Sequence, residues 1–204
     1  MLPQTVAFLP SMLTSLSGRA HSETSALSLD MVWHAPDNSL VDTMLTRPNT
    51  IVVRTPEEAA SLSRASFDYV VLCVKALPDV YDLASVIESV VAPQHTCILV
   101  NTTHTLGVES YLEQRFPTNV VLSLVSGAEI AQTGASEFEH SGPTELWVGA
   151  ANKNSSIPAS IQQDMAEALA MTLKSGMVDC EVSPNIRQQQ FERMIGYVWS
   201  FRQR

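Results

Sequence analysis

The sequence predicts a doubly wound α/β fold around a parallel sheet, and three observations carry that prediction. Apolar runs at Tyr69 to Val74, Cys97 to Val100 and Val120 to Val125 have the texture of strands buried on both faces. Segments with helical spacing separate them, the alternation expected of parallel strands joined by crossover helices. The first run, in "DYVVLCVKALPD", also delivers Lys75 at the point where the strand stops. Ligands of open α/β sheets bind outside the carboxyl ends of the strands, so a cation there fits a binding crevice. It fits equally a charge that marks where a strand leaves the core.

The elements follow from periodicity. A first helix is expected over Thr5 to Ser15, then strands at Leu27 to Trp33 and Thr50 to Val53. Pro56, at a first helical position, opens a helix through Arg64. Asp79 to Val91 places apolar residues at 80, 83, 86, 87, 90 and 91, a helical stripe. A short helix is read over Val108 to Phe116, and small polar residues fill Glu129 to Glu139. Glu145 to Val148 reads as a strand and Lys153 to Ser156 as a turn. Ser156 is expected to cap a helix with Pro158 near its start, stopped after Ser175 by Gly176. Met177 to Val182 alternates like an edge strand. A last amphipathic helix follows Ser183 and Pro184, with apolar positions at 186, 191, 194, 195, 198 and 201. These strands and helices together describe a Rossmann-like sheet.

The bulk numbers exclude several functions. With 204 residues, 45% apolar and 16% charged, the chain has the composition of one domain, or one domain with an appendage, and can bury a sizeable core. A net charge of −9, with no two basic residues adjacent, argues against nucleic acid and against anionic membrane surfaces as partners. Cys73, Cys97 and Cys180 are odd in number and widely spaced. They read as packed, reduced thiols of a cytoplasmic protein, without metal-ligand spacing. The N-terminus carries Pro3 and Pro10 and no basic segment, which argues against a signal peptide, and no run approaches the roughly 18 apolar residues of a spanning helix.

The stretch "FDYVVLCVKALPDVYDLASVIESVVAPQHTCILVNTTHTLGVESYL" resembles the ketopantoate reductase (2-dehydropantoate 2-reductase) family. That family has a strand of the form D-hydrophobic-V-K-A, a helix, and a next strand ending in N-G-x-G. The likeness continues through "SGAEIAQTGASEFEHSGPTELWVGA", similar to a strand pair around His-x-Gly, and "LKSGMVDCEVSPNIRQQQFERMIGYV", similar to the entry into a helical C-terminal domain. It spans roughly Leu27 to Val198. The resemblance implies an NADP-dependent oxidoreductase that reduces the ketone of a small 2-oxo acid held between two domains. Homodimerisation is compatible with that reading. On this basis residues 1–182 would form a Rossmann-like domain lacking the first strand and Gly-rich loop, and residues 183–204 the first helix of an all-helical domain.

The resemblance also assigns residues. Lys75 matches the family lysine at the nucleotide and substrate crevice, where it could hold a carboxylate or phosphate. The Asn of N-G-x-G falls on His104, its first glycine on Thr105, and the second is kept as Gly107. The catalytic lysine falls on Arg193, preceded by Phe191 where the family has tryptophan, and the Asn four residues later falls on Tyr197. Arginine stays charged far above neutral pH, so Arg193 could polarise a carbonyl but hardly act as an acid; it also fits a solvated position on a polar helix face. His34 lies where the family places groups near the adenosine ribose, and equally reads as a strand-end histidine. His140 matches a family position of unproven chemistry, and Glu137 and Glu139 read as solvated.

A dinucleotide site needs a strand, a glycine-rich turn and a helix N-terminus for the pyrophosphate. No two of the eight glycines lie within six residues of each other. If the first helix begins at Thr5, the chain starts just after the cofactor loop. Three readings follow. One is a 2-oxo acid reductase with degenerate NADP binding. Another is a cyclase or isomerase of a biosynthetic pathway, using Lys75 and His104 without a nucleotide. The third is a non-catalytic remnant.

Overall fold

The computed structural model describes residues 5–10, 31–34, 50–53, 55–63, 66–73, 81–101, 106–127, 129–132, 138–141, 145–152, 156–176 and 178–201. Ten strands and five α-helices are described. They are β1 (Thr5–Pro10), β2 (Met31–His34), β3 (Thr50–Val53), α1 (Pro56–Leu62), β4 (Phe67–Cys73), α2 (Leu83–Ile87) and β5 (Cys97–Val100). Then come α3 (Val108–Arg115), β6 (Val121–Ser126), β7 (Glu129–Gln132), β8 (Phe138–Ser141), β9 (Glu145–Gly149), α4 (Ala159–Ser175), β10 (Asp179–Val182) and α5 (Ile186–Phe201).

Eight strands form one sheet in the order β10-β9-β6-β5-β4-β1-β2-β3, and β7 pairs with β8 in a separate antiparallel pair. The central strands β4, β5 and β6 are parallel, with Tyr69 opposite Cys97 and Ile98 opposite Val121. Their apolar texture is explained by burial on both faces. In β5, Ile98 and Val100 face one core with Val70, Leu72, Leu83, Ile87 and Leu112. Cys97 and Leu99 face the other, with Leu122, Val148, Ala166 and Leu169. Helices α1 to α3 thus cover one face and α4 the other. Each fully buried large aliphatic side chain is worth about 1.5–3 kcal/mol, and the sheet is held chiefly by these two layers.

Local signals explain several boundaries. Thr55 accepts a hydrogen bond from Glu58 N at 3.2 Å, and Pro56 begins α1. Gly176 ends α4, its N–H reaching the carbonyls of Leu173 and Lys174. The amino end of the sheet is closed by polar staples. Thr96 Oγ1 donates to the Phe67 carbonyl at 2.7 Å, and Asn119 Nδ2 donates to the carbonyls of Ala92 and Thr96, both at 2.8 Å.

Several expectations are corrected. Residues 5–10 are a strand, not the start of a helix. β1 pairs antiparallel with both β4 and β2, with Val6 opposite Leu72 and opposite His34. The ladder offered by the two neighbours, together with β-branched and aromatic side chains, outweighs the local helical spacing. The sheet is also not wholly parallel, since β9 runs antiparallel to β6, with β10 parallel to β9. The stripe expected over Asp79 to Val91 gives only one short helix, followed by a 3-10 turn over Glu88–Val90. Position 158, not Ser156, is the cap of α4, and its proline supplies no side-chain bond. Cys73, expected in the core, is an exposed residue. The apolar positions of the last helix are not one buried stripe: Ile186 is buried, but Phe191 and Ile195 are 51% and 47% exposed. Among the described residues no helix is long and apolar enough to cross a membrane.

Candidate active site

The carboxyl ends of β2, β3, β4, β5 and β6 point to one edge of the sheet, because these five strands run the same way. With β1 among them, the order β3-β2-β1-β4-β5-β6 is that of a nucleotide-binding sheet, whose ligand crevice opens where the order reverses. The strand beside the reversal, β1, runs against its neighbours. Its amino end, Thr5, pairs with Cys73 at the crevice edge, while its carboxyl end, Pro10, pairs with Phe67 at the opposite edge. The carboxyl end of β1 therefore lies away from the crevice.

His34 closes β2, opposite Val53 of β3, and so lies at the crevice edge. Lys75 and His104 lie outside the described residues. The strand ends that lead to them are adjacent. Asn101 N donates to the Leu72 carbonyl at 2.9 Å, and Asn101 Nδ2 meets Cys73 Sγ at 3.7 Å. Asn101 Oδ1 is buried and finds no hydrogen-bond partner among the described residues. Although Cys73 is exposed as a residue, burial of its sulfur pushes the thiol up, with the Asn101 contact opposing. Cys97, in the core, is pushed up further, by burial alone.

Gly107 caps the amino end of α3 with φ +92°, and no atom within 4 Å opposes a Cβ there. The backbone conformation, not the space, is what calls for glycine. Asp82 caps α2 by accepting from the N–H groups of Ala84 and Ser85. It also accepts from Ser85 Oγ at 2.6 Å and from the Tyr111 hydroxyl, and lies 3.7 Å from Arg115 Nη2. The Ser85 and Tyr111 hydrogen bonds hold the Asp82 carboxyl down at about 2. Helices α2 and α3, which follow the segments carrying Lys75 and His104, are thereby tied together at the surface.

Arg193 is half-buried on α5, three residues after Gln190. Gln190 was not legible as a site residue, and neither were Glu109 and Ser123, yet these three form a buried polar cluster. Glu109, in the first turn of α3, accepts from Ser123 Oγ at 2.7 Å and from Gln190 Nε2 at 2.6 Å. An acid in a first helical turn is a weak sequence signal; its burial has no sequence signal. Beside it, Asn152 accepts from Arg187 Nη2 and donates to Ser110 Oγ and Glu113 Oε2, both at 2.7 Å. Burial pushes the Glu113 carboxyl up, aided by Glu109 and opposed by Asn152 and Arg187. A cleft of about 300 Å³ opens there, lined by Asn152, Asn185, Ile186 and Arg187 among others. No cluster of three or more His, Cys, Asp or Glu capable of holding a metal occurs among the described residues.

The family model described as ketopantoate reductase PanE/ApbA matches residues 41–153. The chain is 38% identical over 153 residues to the Meiotically up-regulated gene 72 protein of Schizosaccharomyces pombe, covering 72% of this chain and 27% of that protein. It is 28% identical over 136 residues to an uncharacterized protein of the same yeast, covering 67% and 23%. The chain therefore spans about a quarter of the length of these curated relatives. Its fold is similar to that of 2-dehydropantoate 2-reductase from Geobacter metallireducens (TM-score 0.54, 19% identity, 72% of this chain and 44% of that one). It is similar also to D-mandelate dehydrogenase solved with NADH and anilino(oxo)acetate (TM-score 0.52, 15% identity, 72% and 42%). The scaffold is thus one that solved oxidoreductases share. With more than half of its length matched, the chain belongs to the ketopantoate reductase PanE/ApbA family.

Proposed function

We propose that this chain is the nucleotide-side part of an oxidoreductase for a small 2-oxo acid or related carbonyl metabolite, and that its own hold on the cofactor is degenerate. Lys75, His104 and Gly107 line the crevice in this reading, with His34 on the adenosine side and Arg193 facing the carbonyl from α5. Reduction places a hydride on the carbonyl carbon and a proton on its oxygen. Arg193 polarises that oxygen and stays charged, so the proton comes from His104 or Lys75. The cofactor is a nicotinamide dinucleotide, NADP by family expectation; D-mandelate dehydrogenase was solved with NADH. Residues 183–204 then open the helical domain that closes over the substrate.

The direction of β1 carries the degenerate half of the proposal. Pyrophosphate binding needs a strand whose carboxyl end reaches the crevice and turns there into a helix N-terminus. β1 occupies that slot and runs the other way. Lys75 alone does not compensate: an exposed cation contributes about 1 kcal/mol, whereas micromolar affinity needs about 8 kcal/mol. The same observation keeps a non-redox enzyme on this scaffold as the second reading.

Titration of the 204-residue protein with NADPH and with NADH, followed by nucleotide fluorescence and calorimetry, tests this. The expected dissociation constant is weaker than about 100 μM, a loss of roughly 3 kcal/mol against a low micromolar site. Low micromolar binding of either nucleotide would remove the degeneracy and leave an ordinary reductase.

A further inference from the structure

Glu109 is 3% exposed, and a carboxylate so buried is costly unless its oxygens are hydrogen-bonded. Its Oε1 is the meeting point of three elements: α3, which carries it, β6 through Ser123, and α5 through Gln190. Ser123 is fully buried and lies opposite Val100, the last residue of β5, so the junction sits at the carboxyl end of the central strands. α5 has apolar side chains that could have made this contact. Phe191 and Ile195 instead face outward, and Gln190, 8% exposed, faces in. Hydrogen bonding therefore fixes the rotation of α5 at this turn, alongside the apolar anchor of Ile186 on the same face. Arg187, one turn earlier, repeats the pattern through Asn152, which reaches Ser110 and Glu113 on the same helix α3.

Positions three apart on a helix share a face, and Arg193 stands three beyond Gln190, about 4.5 Å further along the axis. Whatever fixes Gln190 fixes the depth and direction of Arg193. We infer that Glu109 is a positioning residue: its buried carboxylate holds α5, and with it Arg193, in place against β6, level with the carboxyl end of β5. The holding of α5 stands on the geometry alone; its consequence for a ligand rests on the oxidoreductase reading above.

Three variants of the 204-residue chain test it: Glu109→Leu, Gln190→Leu and Glu109→Gln. Amide hydrogen exchange is followed along the chain, together with binding of pyruvate, as a 2-oxo acid probe, by saturation-transfer NMR. In Glu109→Leu and Gln190→Leu, amides of Ile186–Phe201 should exchange at least about tenfold faster while those of Ala159–Ser175 stay unchanged. Glu109→Gln, which keeps an acceptor oxygen, should remain within about threefold of the unsubstituted chain. Unchanged exchange in α5 of folded Gln190→Leu overturns the inference, as does a Glu109→Gln variant as loose as Glu109→Leu. If Glu109→Leu does not fold, Gln190→Leu and Glu109→Gln decide. Pyruvate separates the two levels. No binding to the unsubstituted chain counts against the oxidoreductase reading and leaves the exchange result to stand. Equal binding by the unsubstituted chain and Gln190→Leu, with α5 loosened, breaks the link from Glu109 to Arg193.

Discussion

Helices α4 and α5 are nearly equal in length, 17 and 16 residues, and are attached to the same sheet by opposite means. α4 inserts Ala166, Leu169 and Ala170 into the core shared with Leu99, Leu122 and Val148. Among the described residues, α5 fully buries one apolar side chain, Ile186, beside Val125 and Ala151, and turns inward the amide of Gln190 toward a buried carboxylate. Apolar burial is non-directional and tolerates sliding, so it holds a helix without specifying its rotation. Hydrogen bonds to a fixed acceptor weaken steeply off axis, so they specify rotation at modest net gain. The helix that only covers the sheet uses the first device. The helix that carries Arg193 uses the second.

The largest expected effect tests the apolar side of this contrast. Leu169→Ala should destabilise the protein by about 3 kcal/mol, the range for a cavity in a closed core being about 2–5. Phe191→Ala, an aromatic removed from the outward face of α5, should cost less than about 0.5 kcal/mol. Urea denaturation of the two variants gives the comparison. Equal losses would mean that the outer face of α5 is covered in solution.

A smaller effect is expected where β9 meets the start of α5. A Cβ on Gly149 would stand 2.5 Å from the Ser183 carbonyl oxygen and 3.3 Å from Ile186 Cβ. The nearer obstacle is backbone, so Gly149→Ala should cost about 1–3 kcal/mol. The loosening should appear in hydrogen exchange as faster amides in α5 before those in α4. Uniform loosening would show that the two helices are not separately attached.

The smallest effect is a pH dependence at the polar attachment. The folded-state value of Glu113 is raised, chiefly by burial, so the folded protein binds this proton more tightly than the unfolded chain. The contribution is present below the unfolded-state value and is lost as pH rises through the folded one. Glu113→Gln should therefore flatten the fall in stability just above the ordinary glutamate range, measured by denaturant midpoints at a series of pH values. A steeper fall in the variant would reverse the assigned sign. Because Glu113 is only partly buried, solvent screening keeps the effect small.

Much of the fold was legible because its signals are local. The runs at residues 69–74, 97–100 and 120–125 are apolar without alternation, which only strands covered on both faces need to be, and they emerged as β4, β5 and β6. Pro56 and Gly176 marked helix ends through their own backbone restrictions. Within the candidate site, the resemblance pointed to Gly107, and the structure gives the physical reason for a glycine there in its positive φ. The polar residues that position it were not, since Glu109, Ser123 and Gln190 look like ordinary solvated side chains in one dimension.

The sequence by itself determined the apolar central strands and their alternation with helices, and hence the α/β class, while its short motifs carried the family resemblance. Tertiary structure alone decided the direction of β1, the reversal of β9 and β10 relative to β6, and which face of α5 looks inward. A strand has the same two-residue period whichever way it runs, so only the neighbour with which it pairs sets its direction. A buried carboxylate takes its meaning from partners elsewhere in the chain, and the amide that meets Glu109 comes from 81 residues away.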